Sequence, residues 1–265
     1  MLKRLIRWLT NSAGLELTRI RANWRGMPFP DGFMRELLRE QGQGTIALLR
    51  KVEPFTMTSP ERVAALVEAT RYVSRACVPG AIVECGVWRG GSMMAIALSL
   101  LELGDTTRDL FLFDTYEGMS ASLDKDKDCS GNLAAQLLAN TPAGTDIWCE
   151  AGIEEVRANL LMTGYPAERL HFIKGKVEDT LPHAGLGRIA LLRLDTDWYE
   201  STRHELVLLY PQLVVGGVLI IDDYGHWQGA REAVDEYFAN PARQPVLLQR
   251  VDYSGRLVIK CSDAG

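Results

Sequence analysis

Four aspartates are spaced for chemistry. Asp195 and Asp197 follow the apolar run Ile189-Ala-Leu-Leu-Arg193-Leu194, and Asp222 and Asp223 follow Val218-Leu-Ile-Ile221. If both runs are strands of one parallel sheet, their ends lie side by side and the carboxylates converge. Such a group repels itself unless a cation sits within it. Oxygen-only donors favour a hard divalent ion such as Mg2+, which takes one or two protein carboxylates together with waters and substrate oxygens. The competing use is helix capping, because an aspartate at a strand-to-helix turn accepts from the first backbone N–H groups. One aspartate alone would be read that way, whereas four at adjacent strand ends favour a metal.

Two further strand ends carry polar groups. Ile82-Val-Glu84-Cys-Gly86-Val-Trp88-Arg-Gly90-Gly91-Ser92 is a glycine-rich strand-to-helix turn, but its glycines do not have the Gly-x-Gly-x-x-Gly spacing that brings a backbone against a pyrophosphate. Taken alone it is weak evidence, with a plain tight turn as the competing reading. Asp114, after Leu110-Phe-Leu-Phe113, stands where nucleoside-binding sheets place the acid that accepts from the ribose hydroxyls. Its plain alternative is a turn-capping aspartate.

The elements that must position these groups are legible as periodicity. From Pro79-Gly80 onward, short apolar runs at 81–84, 110–113, 171–173, 189–194, 218–221, 246–248 and 256–259 alternate with helical stretches at 91–103, 153–163, 200–210 and 228–238. That alternation predicts an α/β fold with a mostly parallel sheet covered on both faces. The last two runs flank Asp252-Tyr-Ser-Gly255, which predicts an antiparallel pair at one edge. Ligands in such a sheet bind beyond the carboxyl ends of the strands, near the point where strand order reverses. Before residue 75 the pattern is helical, with Ser59-Pro60 as a capped start and residues 26–32 and 53–57 as loops. The division expected is a helical cap at 1–75, with a possible dimerisation role, and a ligand-binding core at 76–265.

Composition narrows the partners. A chain of 265 residues with net charge -5 has no basic footprint for nucleic acid. Its five scattered cysteines have no Cys-x-x-Cys spacing and read as reduced cytoplasmic thiols. No run approaches the roughly 20 apolar residues of a membrane span. Leu2, Leu5, Ile6 and Leu9 form a short stripe beside basic residues. It reads as a helix packed on its own domain or on a second subunit, with peripheral membrane contact as the alternative.

Val83-Glu84-Cys-Gly86-Val-Trp88-Arg-Gly90-Gly91-Ser92-Met-Met, Leu112-Phe-Asp114-Thr-Tyr-Glu-Gly118-Met and Ile221-Asp222-Asp223-Tyr-Gly225-His-Trp227 together resemble the macrocin O-methyltransferase family of sugar-methylating enzymes. The resemblance runs from about Thr56 onward. It implies a Rossmann-like class I methyltransferase fold with a seven-stranded sheet, and S-adenosylmethionine as methyl donor. It implies donor contacts from Thr56, Met57, Glu84, Gly86, Gly90, Ser92, Asp114, Tyr116, Glu178 and Asp179. It also implies Mg2+ held by Asp195, Asp222 and Asp223, and a homo-oligomer.

The acceptor expected is a hydroxylated small molecule, a vicinal diol of a sugar or glycoside. A metal chelated to two adjacent hydroxyls holds the acceptor oxygen and lowers its pKa. A base must then take the proton. Catechol-type methyltransferases place a lysine where this chain has Trp198, so Asp197 is the first candidate, although an unperturbed aspartate with a pKa of about 3.9 is a weak base. His226 is the second. The charged stretch 120–128 reads as a lid over the acceptor or as a solvated charge run. Two rival functions stand beside this one: a glycosyltransferase using Asp195-Thr-Asp197 as a nucleotide-sugar site, and a non-catalytic binding subunit on a methyltransferase fold.

Overall fold

The computed structural model describes the backbone of residues 20–24, 27–142 and 145–263, with side-chain surroundings from residue 42 onward except at residue 146. The amphipathic stripe at Leu2 to Leu9 lies outside the described residues. The chain forms two units, residues 1–47 and 48–265.

In the first unit, β1 (Ile20–Trp24) pairs antiparallel with β2 (Met27–Pro30). Residues 27–30 were expected as loop because of Pro28 and Pro30. A two-stranded ribbon has a free edge on each strand, and there a missing proline N–H costs no ladder bond. Next comes α1 (Asp31–Val52), which is interrupted at Gly42, where φ is 76°.

The second unit holds the site. Pro60–Arg75 forms α2, whose N-cap is Ser59: its hydroxyl accepts from the Arg62 N–H, and Pro60 fills the first helical position, where no N–H is needed. The sheet then builds in the expected order. Its strands are β3 (Ala81–Cys85), β4 (Leu110–Asp114), β5 (Leu170–Lys174), β6 (Ile189–Leu194), β7 (Leu213–Ile221), β8 (Gln249–Arg250) and β9 (Arg256–Ile259). In space they run β5-β4-β3-β6-β7-β9-β8. The pairs from β5 through β7 are parallel, and β9 is antiparallel to both β7 and β8. This is the seven-stranded α/β sheet the alternation predicts.

One strand is displaced from its expected place. The apolar run at 246–248 stops short of the ladder: Val246 and Leu248 pack against the core while Gln249–Arg250 makes the pairing with β9. The hairpin turn forms as read, because Asp252 Oδ1 accepts from the Ser254 and Gly255 N–H groups.

Helices α3 (Gly91–Glu102), α4 (Ala134–Ala139), α5 (Ile153–Leu161), α6 (Val177–Thr180), α7 (Tyr199–Leu209) and α8 (Gln228–Phe238) complete the unit. On one face α2 packs on α3, and on the other α7 packs on α8. Val83, Leu192, Leu194, Leu219 and Ile221 meet Leu206, Leu209 and Val234 in a core closed to water. Strands buried on both faces read as near-continuous apolar runs, which is why β3, β6 and the second half of β7 were visible. Within the wholly buried β6, Arg193 is the exception in the pattern.

Candidate active site

Strand order reverses between β3 and β6, since β4 and β5 extend the sheet one way and β7 the other. Backbone bonds hold the strand ends level. Gly86 N–H donates to Phe113 O at 2.9 Å, Asp195 N–H to Cys85 O at 2.9 Å, and Asp222 N–H to Leu194 O at 2.9 Å. Glu84, Asp114, Asp195 and Asp222 therefore share one end of the sheet, the crevice where open α/β sheets bind ligands.

The glycines of the first turn bring chain against chain. Gly86 has φ of +82°, and a Cβ there would lie 1.9 Å from the Asp195 carbonyl oxygen. A side chain at Gly91 would meet the Phe55 carbonyl at 2.5 Å, so this glycine lets residues 55–56 cross the start of α3. Gly90 is the left-handed N-cap of that helix, and Ser92 is buried in its first turn. Asp114 organises the same turn: Oδ2 accepts from Val87 N–H at 2.6 Å and Trp88 N–H at 3.0 Å, and Oδ1 from Tyr116 N–H at 2.7 Å. The carboxylate keeps lone-pair capacity for a further donor. Tyr116 itself is buried, with its hydroxyl donating to Leu112 O at 3.0 Å. Thr56 is buried and its hydroxyl accepts from Thr58 N–H, Met57 is half-buried beside it, and Glu178 and Asp179 lie on α6 beyond β5.

The acids converge. One carboxylate oxygen from each of Asp195, Asp222 and Asp223 lies within 4.8 Å of the others. Two arginines that the sequence reading had not placed in the site enter the group. Arg193 Nη1 lies 2.7 Å from Glu84 Oε1 and 2.7 Å from Asp195 Oδ2, while Nη2 lies 2.6 Å from Asp222 Oδ1 and 2.9 Å from Thr58 Oγ1. Arg62 Nη1 pairs with Asp222 Oδ2, its Nε with Asp252 Oδ2 at 3.0 Å, and the Thr58 hydroxyl donates to Asp222 Oδ2 at 2.7 Å.

The charges sort accordingly. Burial would raise the Asp222 pKa, but the two guanidinium groups and the Thr58 bond hold it below the ordinary carboxylate value. Asp223 is pushed well above that value by burial and by repulsion from Asp197, Asp195 and Asp222. Asp195 is also raised well up, by burial, which outweighs Arg193. Among the described residues neither Asp223 nor Asp197 forms an ion pair. A buried carboxyl without an ion pair, Asp223, with oxygens of the buried Asp222 and the half-buried Asp195 beside it, forms an oxygen-only donor set that fits a hard divalent cation.

Asp197 sits at the mouth of this group in a left-handed conformation, φ 67°, which aspartate tolerates better than most side chains. Its N–H donates to Asp223 Oδ2 at 3.1 Å. Burial lifts its pKa to about 6, so it is a stronger base than a free aspartate. His226 lies on the same loop as Asp223, with Nδ1 3.3 Å from the Tyr253 hydroxyl. Burial lowers its pKa, which keeps the ring neutral.

The stretch 120–128 is tied down at several points, although Ala121, Leu123 and Asp124 are exposed. Asp126 is fully buried, and its carboxylate accepts from Leu123 N–H at 2.7 Å and from Tyr199 N–H, at the start of α7, at 2.8 Å. Trp198 Nε1 donates to Ser120 O, and Gln228 N–H to Lys127 O. The loop is thus fastened to the starts of the two helices that follow the acidic strand ends.

The sequence reading did not assign Thr58, Arg62, Arg193 or Glu205. Glu205 lies beneath the site on α7, buried, with Oε1 accepting from Thr196 Oγ1 at 2.9 Å and Oε2 unpartnered. Burial pushes its pKa well above the ordinary carboxylate value. The available signal was an ionisable residue set within an apolar run, seen at Arg193 in β6; Glu205 follows the polar stretch Ser201-Thr-Arg-His204 and gave no such signal.

Residues 30–258 match the family model described as Macrocin-O-methyltransferase (TylF). The chain is 37% identical over 191 residues to the 8-demethyl-8-(2,3-dimethoxy-alpha-L-rhamnosyl)-tetracenomycin-C 4'-O-methyltransferase of Streptomyces olivaceus, covering 69% of this chain and 67% of that one. It is 32% identical to the demethyldecarbamoylnovobiocin O-methyltransferase of Streptomyces niveus, over 79% of this chain and 75% of that one. Among solved structures it is similar to the O-methyltransferase NovP, with a TM-score of 0.65 and 31% identity over 78% of this chain and 83% of that one.

Proposed function

Because the chain belongs to the macrocin-O-methyltransferase family and is an O-methyltransferase, we propose that it methylates a sugar hydroxyl of a glycosylated natural product. The donor is S-adenosylmethionine, the acceptor hydroxyl is one of an adjacent pair, and Mg2+ is held by Asp195, Asp222 and Asp223. The observation that carries this reading is the convergence of those three acids beside the turn 84–92, at the point where the sheet order reverses. The relatives' names support the substrate class: one acts on a rhamnosyl tetracenomycin and another on demethyldecarbamoylnovobiocin. The turn 84–92 and Asp114, which a nucleotide-sugar site at Asp195-Thr-Asp197 would leave unexplained, support this reading over a glycosyltransferase.

When bound, the donor supplies an activated methyl group, and the cation supplies positive charge that lowers the acceptor hydroxyl's pKa. The protein's own groups do the rest. Glu84, Gly86, Gly90 and Ser92 along the first turn, with Asp114 and Tyr116 at the end of β4, hold the donor. Thr56 and Met57 border it, and Glu178 and Asp179 stand on the adenine side. Those residues would hold the donor so that its methyl group could pass to an acceptor oxygen bound beside the acids, with the sulfur as leaving group. Asp197 takes the hydroxyl proton on its carboxylate, with His226 as the second candidate. The loop at 120–128, fastened across the two helix starts, excludes water from the acceptor side.

Residues 1–75 are proposed as the cap and self-association segment and 76–265 as the donor-binding core, acting in the cytoplasm as a homo-oligomer. No helix among the described residues is long and apolar enough to cross a membrane.

Mass spectrometry on a panel of deoxyhexose glycosides tests the substrate assignment. Glycosides with two free neighbouring hydroxyls should gain one methyl group. Equal methylation of glycosides in which the neighbouring hydroxyl is blocked would remove the diol requirement.

A further inference from the structure

Two arginines offset part of the charge of the acid cluster, and they are held differently. Arg193 projects from the penultimate residue of β6, inside the sheet, is 2% exposed, and has its near partners, Glu84, Asp195, Asp222 and Thr58, within the site. It cannot leave without opening the sheet. Arg62 comes from the first turn of α2 on a flexible side chain that is 11% exposed, and it has a second carboxylate already in hand. Its Nε lies 3.0 Å from Asp252 Oδ2 and 3.3 Å from Ser59 Oγ, while only Nη1 reaches Asp222.

Asp222 is therefore crowded. Oδ1 accepts from Arg193, and Oδ2 accepts from both Thr58 and Arg62, so three of its roughly four lone-pair positions are in use. A divalent cation and a guanidinium cannot both sit on Oδ2, because like charges at contact distance repel strongly in a site partly closed to water. Of the three donors on Asp222, Arg62 is the one that can give way and remain paired.

We infer that Arg62 is the resident counter-cation of this site: it holds Asp222 until a divalent cation enters, then retreats onto Asp252, and so sets the affinity for the ion. The inference rests on the metal assignment made above. Arg62 is a positioning residue here. It tunes the donor set through Asp222, and the exchange makes or breaks no covalent bond. It also explains why an aspartate from the turn between β8 and β9 is directed into the site: Asp252 gives the displaced guanidinium a place to go. Its Oδ1 meanwhile caps the turn, so the two oxygens divide the work.

Calorimetric titration of Mn2+ into the metal-free full chain tests this with two variants expected to move in opposite directions. Arg62→Gln removes the competing charge and should tighten Mn2+ binding on the order of tenfold, the size of one part-buried charge pair. Asp252→Asn keeps the turn-capping oxygen but removes the refuge, and should weaken binding by a similar factor. A fixed structural tie between α2 and the turn predicts no gain in either variant. Unchanged or weaker Mn2+ binding in Arg62→Gln, with the wild-type chain binding normally, overturns the inference. Absence of Mn2+ binding in the wild type and both variants would overturn the metal assignment itself. Should Arg62→Gln not fold, Arg62→Met is titrated in its place and is read the same way. The Asp252→Asn result also stands without it, because binding as tight as wild type there overturns the inference.

Discussion

Arg193 Nη1 lies 2.7 Å from Glu84 Oε1, a buried pair that joins the end of β3 to β6 beneath both the donor turn and the acid cluster. Breaking such a pair leaves an uncompensated buried charge. Arg193→Met should therefore cost about 3–5 kcal/mol of unfolding free energy in urea denaturation. Glu84→Gln combined with Arg193→Met should cost less than the two single changes added together. Simple additivity would show that the pair is not coupled.

Asp197 is the proposed proton acceptor, so Asp197→Asn removes the base while leaving the three metal acids and the donor turn intact. Turnover should fall by about 10²–10⁴-fold, as general-base catalysis predicts, with donor affinity by calorimetry unchanged. A variant with undiminished turnover would move the role to His226.

The metal-free protein should become less stable as pH rises. Burial lifts Asp197 to about 6 and Glu84, which Arg193 only partly offsets, to about 7. Unfolded carboxyls ionise near 4. Between about pH 4 and 7 the folded state therefore binds more protons than the unfolded state, and stability falls across that window. Melting temperature in a chelator should be higher at pH 5 than at pH 7.5, and Mg2+ should recover most of the difference at the higher pH. A flat profile would mean that these carboxyls are already neutralised.

The sheet was legible because buried parallel strands are continuous apolar runs, and the acids were legible because each pair stands directly after such a run. Ser59 was read as a cap, and it is one. The proline-bearing strand Met27–Pro30 was hidden, because prolines argue against a strand wherever both edges are paired. Gln249–Arg250 was hidden too, because its pairing comes from the turn at Asp252 and owes nothing to apolar character. The counter-cations were missed for another reason. Arg62 meets Asp222 across 160 positions of sequence, and Arg193 meets Glu84 across 109, so only the folded register brings them together. Self-repulsion among the acids calls for positive charge beside them, and part of that charge comes from the chain itself, from Arg62 and Arg193.

The most direct measurement of the central claim is transfer of labelled methyl from S-adenosylmethionine to a glycoside bearing adjacent hydroxyls, run with Mg2+, with a chelator, and with Mg2+ restored. The account predicts transfer in the first, loss in the second and recovery in the third. Transfer at full rate in the chelator would contradict the assignment of Asp195, Asp222 and Asp223 as metal ligands.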